Sequence, residues 1–208
     1  MQDKTRLTIS AYNRNHHTYT DKFMHYSPYV TQVIQFANLL EDGFKVLDVG
    51  CGPGNVSKNL CDLKKLAVTG LDLSPEMLET ARTNVPGGTF LLQDIRNASF
   101  TASHYDAVIL SFCIVHLDDD ETFALLANAV KWLRRGGYLY LSFMEGKQPG
   151  FERTSFSSEP IYFNYFTGSK IERFLIECGV DCFHIARQDY LEPDGTTTID
   201  VFIFGKRI

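Results

Sequence analysis

The run Val46-Leu47-Asp48-Val49-Gly50-Cys51-Gly52-Pro53-Gly54 constrains this chain more than any other stretch. Val46 to Val49 read as a short buried strand, the glycines as a tight turn, and Asn55 to Leu60 as the start of a helix. A glycine-rich turn between strand and helix lets the backbone come close to a ligand, because Gly tolerates positive φ and carries no Cβ. The helix behind the turn offers unpaired N–H groups and the positive end of a dipole. Ligands of doubly wound α/β sheets bind at such places, outside the carboxyl ends of the strands.

The spacing of the glycines bears on which ligand. A dinucleotide fingerprint, G-x-G-x-x-G, would put its third glycine at position 55, where this chain has Asn55. The pattern is instead Asp48-x-Gly50-x-Gly52-x-Gly54. Strands and helices then alternate. Ala67–Asp72 reads as a second strand, and Ser74-Pro75 opens a helix that buries Met77, Leu78 and Ala81. Thr89–Gln93 is a third strand ending in Asp94-Ile95, and Tyr105–Leu110 a fourth that runs into Ser111, Phe112 and His116. Asp118–Glu121 places acids at the start of a long helix, where they suit its dipole. Gly136-Gly137 is expected to end that helix, with Tyr138–Phe143 as the fifth strand. A last helix spans Ser169–Cys178, and runs at 180–190 and 197–206 flank Pro193-Asp194-Gly195 as a hairpin. Asp48, Asp72 and Asp94 thus stand at the ends of the first three strands, with Asp72 22 positions after Gly50, the spacing at which an acid reaches ribose hydroxyls in such folds.

From Gly50 to the C-terminus this layout resembles the class I S-adenosylmethionine (SAM) methyltransferases, broadly the group that includes quinone-biosynthesis methyltransferases. In that family the turn cradles an amino-acid tail, not a pyrophosphate. The resemblance implies an α/β fold: a three-layer α/β/α sandwich on a mostly parallel seven-stranded sheet, with one antiparallel strand from a C-terminal hairpin. It implies SAM as cofactor. Gly50, Cys51, Gly52 and Gly54 would line the methionine moiety, and Asp48 would support the turn or reach the cofactor's ammonium. Asp72 would accept both ribose hydroxyls, with Leu73 and Met77 against the adenine. Asp94 would accept the adenine amino group, the Ile95 N–H would face a ring nitrogen, and Ser111 and Phe112 would sit below the sulfonium. Tyr12 and Tyr19 resemble a spaced pair that lies over the cofactor in relatives, with Tyr19 taken as a cofactor contact.

Methyl transfer is an in-line displacement, so alignment alone can supply ~7–11 kcal/mol. A general base, typically ~10²–10⁴-fold, is optional. His116, near the end of the fourth strand, is the candidate base; Glu145 is a second, and Arg153 could bind a substrate carboxylate.

Residues 1–42 read as a polar, aromatic leader and a helix that could form a lid, and 43–208 as the SAM-binding domain. Ser27-Pro28 caps that helix, whose apolar face is Val30, Val33, Ile34, Ala37 and Leu40. Residues 145–166 form a long aromatic connection, expected to be functional, that suggests a partly apolar acceptor. With 44% hydrophobic and 22% charged residues the chain is an ordinary globular one. A net charge of −5 without a basic stripe argues against a nucleic-acid partner. No run is long and apolar enough to span a membrane, and the N-terminus has no signal-peptide core, so a cytoplasmic location is expected. The five cysteines show no CxxC and read as free thiols; adjacent His16 and His17 diverge, and no metal is expected. The function expected is SAM-dependent methyl transfer to an O, N or C nucleophile of a small molecule. The alternatives are a SAM-binding protein without transferase activity and a nicotinamide oxidoreductase, the latter disfavoured by Asn55 and the terminal hairpin.

Overall fold

The central strands are nearly continuous apolar runs, as in Ala107-Val108-Ile109-Leu110, so both faces of one sheet are buried. A computed structural model describes residues 3–192 and 195–208. Its strands are β1 (Lys45–Val49), β2 (Ala67–Asp72), β3 (Thr89–Leu92), β4 (Tyr105–Ser111), β5 (Leu133–Glu145), β6 (Gly150–Thr154), β7 (Ser157–Phe163), β8 (Val180–Leu191) and β9 (Thr197–Arg207). The helices are α1 (Asp3–Phe23), α2 (Ser27–Ala37), α3 (Asn55–Cys61), α4 (Pro75–Asn84), α5 (Asp119–Trp132) and α6 (Gly168–Glu177). On β4, Val108 and Leu110 pack with Leu125 and Leu126 of α5 and Ile171 and Leu175 of α6. Ala107 and Ile109, pointing the other way, pack with Phe36 of α2 and Leu60 of α3. Leu78 and Ala81 of α4 meet Cys51 and Phe90 in a smaller cluster.

The strand order is β3-β2-β1-β4-β5-β9-β8, with β9 antiparallel to both neighbours. The expected α/β sandwich with one antiparallel strand is therefore what the chain forms. β1 lies between β2 and β4, so the connections after β1 and after β4 leave toward opposite edges. That divergence opens a crevice at the carboxyl ends of the strands.

Several local expectations are corrected. The polar leader is a 21-residue helix, α1, whose inward face carries Thr8, Ala11 and Phe23. The aromatic connection contains a hairpin, β6–β7. Ser27 is the first helical residue of α2 and makes no side-chain cap, and Ile34 is 45% exposed while Phe36 takes the buried position. α5 ends at Trp132, ahead of Gly136-Gly137. Ser74 caps α4 as expected, accepting the Met77 N–H at 3.1 Å. Asp118 and Glu121 form a reciprocal capping box at the start of α5. Of the Pro193-Asp194-Gly195 turn, the first two residues lie outside the described residues. No helix among those described is long and apolar enough to cross a membrane.

Candidate active site

The glycine turn folds because its backbone is stitched to the next strand. The N–H groups of Gly50 and Cys51 both donate to the Leu71 carbonyl, at 2.8 and 3.0 Å. Gly50 has φ +68, and a Cβ there would stand 2.5 Å from the Cys113 Cβ. Gly52, at φ +52, would meet no atom within 4 Å, so its exposed side is free for a ligand. Asp72 closes the turn from the far side: its Oδ2 accepts the Gly52 N–H and its Oδ1 the Ser74 N–H, each at 2.9 Å. Each carboxylate oxygen keeps acceptor capacity after that one bond. Burial pushes the Asp72 carboxyl up from its ordinary value, with backbone bonds from Ser74, Gly52 and Leu73 opposing. Asp48 lies deeper and accepts the Ser57 hydroxyl at 2.6 Å. Burial pushes it up to about 6, the Ser57 bond pulls it down, and neighbouring Asp72 adds to the rise.

Over the turn is a cavity of about 760 Å³. Of the residues expected from the sequence, it brings together Tyr19, Gly50, Gly52, Asp72, Leu73, Met77, Asp94, Ile95, Ser111, Phe112 and His116. It does not bring in Asp48, Cys51 or Gly54. Asp48 belongs to a smaller adjoining recess, which Cys51 and Gly52 also line. The Cys51 side chain is 4% exposed and packs against Leu78, Ala81 and Phe90, while Gly54 lets α3 approach Ala81, where a Cβ would be at 3.3 Å. Asp94 is engaged by its own neighbour: Arg96 Nε donates to both carboxylate oxygens at 2.9 and 3.1 Å, and the Arg96 N–H adds a bond at 3.0 Å. Burial works to raise this carboxyl, but the Arg96 bonds prevail and hold it below the ordinary value.

The roof is α1. Thr5, Thr8, Ile9, Tyr12 and Tyr19 face the cavity, and Arg96 ties the floor to the roof through Thr5 at 3.3 Å. Lys4 reaches across to Asp118 and Glu121 at 3.3 and 3.4 Å.

A second cavity, about 680 Å³, adjoins the first, and Tyr12, Tyr19, Phe112 and His116 line both. His116 Nδ1 lies 2.8 Å from the Tyr162 carbonyl, which can only accept, so Nδ1 carries the proton. Its Nε2 lone pair then receives the Tyr12 hydroxyl at 3.0 Å. Burial pushes His116 down to about 4, against the Tyr162 bond, and burial raises Tyr12 far above its ordinary value. Phe112 has φ +50, rare for a residue with a Cβ, and is held there by its N–H donating to the Ser142 carbonyl at 3.1 Å. Its ring stacks on Tyr29 at 4.9 Å.

Residues 46–137 match the sequence profile of the family described as Methyltransferase domain. Residues 46–137 thus carry the methyltransferase domain that this profile describes. The chain is 38% identical over 101 residues to a trans-aconitate 2-methyltransferase from Enterobacter sp., a match covering 48% of this chain and 39% of that protein. It is 33% identical over 111 residues to a ubiquinone biosynthesis O-methyltransferase from Xanthomonas axonopodis, covering 51% and 45%. The chain thus spans less than half the length of these curated relatives. Among solved structures, a phosphoethanolamine N-methyltransferase 2 of Haemonchus contortus superposes with a TM-score of 0.75 at 14% identity, covering all of this chain and 60% of that one. A SAM-dependent methyltransferase from Methanosarcina mazei gives 0.70 at 19% identity, covering 84% and 97%. The [4+2]-cyclase SpnF shares the fold as well, with a TM-score of 0.66 at 13% identity, covering 86% of this chain and 80% of that one.

The match of residues 46–137 to a methyltransferase domain speaks against the nicotinamide alternative. It also locates what sequence reasoning missed. Arg96 was legible as an Asp-x-Arg pair, whereas Tyr29 and Asp200 of the second cavity lie outside the matched stretch. Glu145 is not free for chemistry: its carboxylate accepts the Gly168 N–H and pairs with Arg187 at 3.1 Å, which anchors α6. Arg153 is exposed at the mouth of the second cavity.

Proposed function

We propose that this chain transfers a methyl group from SAM to a small-molecule acceptor, with SAM in the first cavity and the acceptor in the second. The observation that carries the reading is the shared wall of Tyr12, Tyr19, Phe112 and His116. A two-substrate displacement needs two sites that meet at one point, and these cavities meet there.

The residues fit the cofactor. Asp72 presents a carboxylate whose remaining lone pairs suit a diol, and Gly52 puts no side chain in the way of a ligand lying against the turn. In this assignment Asp72 holds the ribose, Leu73, Met77 and Ile95 flank the adenine with Asp94 beside it, and Gly50, Gly52, Ser111, Phe112 and Tyr19 surround the methionine end. Asp48, Cys51 and Gly54 act behind the turn, supporting its shape. When bound, SAM supplies an electrophilic methyl on a positively charged sulfur.

The chain's own part is alignment and dryness. α1 covers both sites, and a closed, oriented pair of reactants accounts for ~7–11 kcal/mol without a strong base. His116, held neutral by burial, is a weak base; its Nε2 fixes the Tyr12 hydroxyl at the junction. A proton leaving the acceptor can pass to the Tyr12 oxygen as the Tyr12 proton passes to His116. The five thiols are free, which suits a reducing, cytoplasmic setting.

Calorimetry with S-adenosylhomocysteine, SAM and NADH, followed by a screen for label transfer from methyl-labelled SAM, tests the reading. Binding of both SAM species, no response to NADH and a labelled small molecule are expected. NADH binding without either SAM species would overturn the cofactor. SAM binding with no acceptor labelled across amines, phenols, carboxylic acids and thiols would leave a binding protein.

A further inference from the structure

The second cavity combines aromatic walls with a carboxylate that has no basic partner among the described residues. Tyr19, Phe23, Tyr29, Phe112, Phe156 and Tyr190 face it. Asp200 joins them from β9, 1% exposed, where the same strand face continues with the apolar Phe202 and Phe204. Its Oδ2 accepts the Tyr29 hydroxyl at 2.8 Å, and the Gln188 side chain also donates to it. Among the described residues no lysine, arginine or histidine pairs with it. The other acids of the cavity region differ. Glu152 is paired with Lys147 at 2.9 Å and accepts the Tyr165 hydroxyl at 2.7 Å. Glu192 accepts the Thr198 hydroxyl at 2.9 Å, and it too has no basic partner among the described residues. The nearby cations are engaged or peripheral. Lys22 donates to Ser155 and, at 2.8 Å, to Tyr190, whose ring its ammonium also covers at 5.5 Å, and Arg153 is exposed at the mouth.

Resting on the acceptor assignment of this cavity, we propose that the acceptor carries an aliphatic amine bound in its ammonium form, with the buried Asp200 carboxylate as its counter-ion inside the aromatic wall. Walls of rings keep water from the pair, and an ion pair is stronger where the local dielectric is low. A neutral aromatic acceptor would gain from the rings but would leave a buried carboxylate facing it unpaired, which is costly. Burial pushes the Asp200 carboxyl up to about 7, with the Tyr29 bond opposing and Glu192 adding to the rise, so the site resists its own charge until a cation arrives. Arg153 at the mouth disfavours a purely cationic entrance and leaves the charge preference to the interior.

The probe pair is choline and its neutral isostere 3,3-dimethylbutan-1-ol, titrated into the protein saturated with S-adenosylhomocysteine. Choline should bind at least roughly tenfold more tightly than the alcohol. Asp200→Asn keeps an oxygen for the Tyr29 hydroxyl and removes the charge. It should cost choline about tenfold or more and leave the alcohol and S-adenosylhomocysteine within about threefold. Tyr29→Phe separates a counter-ion from a mere partner of Tyr29: the charge stays, so the preference for choline over the alcohol should survive. Equal binding of the two probes, binding of neither, or a choline affinity untouched by Asp200→Asn would overturn the inference. Failure of the parent to bind S-adenosylhomocysteine would instead sink the cofactor reading on which it rests.

Discussion

The two cavities differ in where their walls come from. The floor of the first lies wholly within residues 46–137, the stretch shared with the family, and is made of strand ends and a turn. The second takes only Phe112, Val115 and His116 from that stretch. The rest comes from α1, α2, β5, the β6–β7 hairpin and the β8–β9 end of the sheet. Backbone geometry makes the first site, which is why one turn and three acids suffice to recognise it. Side chains brought together from distant segments make the second, and such grafted surfaces are where specificity resides. The proposed division of labour follows: a common methyl donor below, a chain-specific acceptor beside it.

The sharpest way to break that division is to damage each cavity and see whether the other notices. Gly50→Ala should have the largest effect. It forces a Cβ into Cys113 at a left-handed φ, and strain plus overpacking cost roughly 2–5 kcal/mol. Denaturant unfolding should show that loss, and calorimetry should show S-adenosylhomocysteine binding abolished. Binding within a few-fold of the parent would mean that the turn is not the cofactor floor.

Next is the second cavity's Asp200, where the sign of the pH dependence is decisive. Its folded-state value is about 7 against an ordinary 3.8, so the folded protein holds a proton that the unfolded chain releases. The associated stability is fully present below about pH 4 and is lost as pH rises through about 7. Asp200→Asn does not titrate. It should match the parent near pH 4 and exceed it by roughly 3–4 kcal/mol at pH 8 in the ligand-free state. Urea melts at both pH values check this, and a variant less stable at pH 8 would argue that Asp200 is a structural anchor. His116 has the opposite sign. Its folded value, about 4, is below the ordinary 6.5, so its contribution is present above about 6.5 and is lost as pH falls through about 4.

Asp72→Ala comes third: loss of two charge-assisted bonds should cost roughly 3 kcal/mol, or ~100-fold in S-adenosylhomocysteine affinity. Asp94→Ala should cost nearer ~1–2 kcal/mol in binding. Because Arg96 is released from its bonds to Asp94, it should also lower the melting temperature. The ranking fails if Asp94→Ala proves the more damaging to affinity. At the shared wall the effect is expected on rate and not on affinity. Tyr12→Phe should lower kcat by roughly 10–100-fold while the dissociation constant of S-adenosylhomocysteine moves less than about threefold. A change confined to binding would place Tyr12 with the roof instead of the reacting groups.

What the amino-acid order revealed tracks the same contrast. Asp48, Asp72 and Asp94 were legible because strand, turn and helix each leave a local signature within a few residues. α1 was not, because its inward face is Thr8, Ala11, Tyr12, Asn15 and Tyr19: a roof over a cavity needs little of the apolar periodicity that a core-facing helix shows. β7 was hidden by Pro160, which reads against a strand but is tolerated in a two-stranded ribbon. Asp200 left one faint mark, a carboxylate on the strand face that continues as Phe202 and Phe204. Its meaning depended on Tyr29, 171 residues away.

α1 departs from helical geometry at Asn15, with φ −112 and ψ 16, where the Asn15 amide reaches Ala11 and Ser157. Thr5, Thr8 and Ile9 before the break cover only the first cavity, and Phe23 after it covers only the second. The front half is fastened by Lys4 ion pairs, which salt screens; the rear half is fastened by rings, which salt hardly affects. The two halves of the helix are therefore held by different fastenings, and ionic strength becomes a test of release order. If the demethylated cofactor departs last, steady-state turnover should quicken with added salt; if the methylated product departs last, it should not.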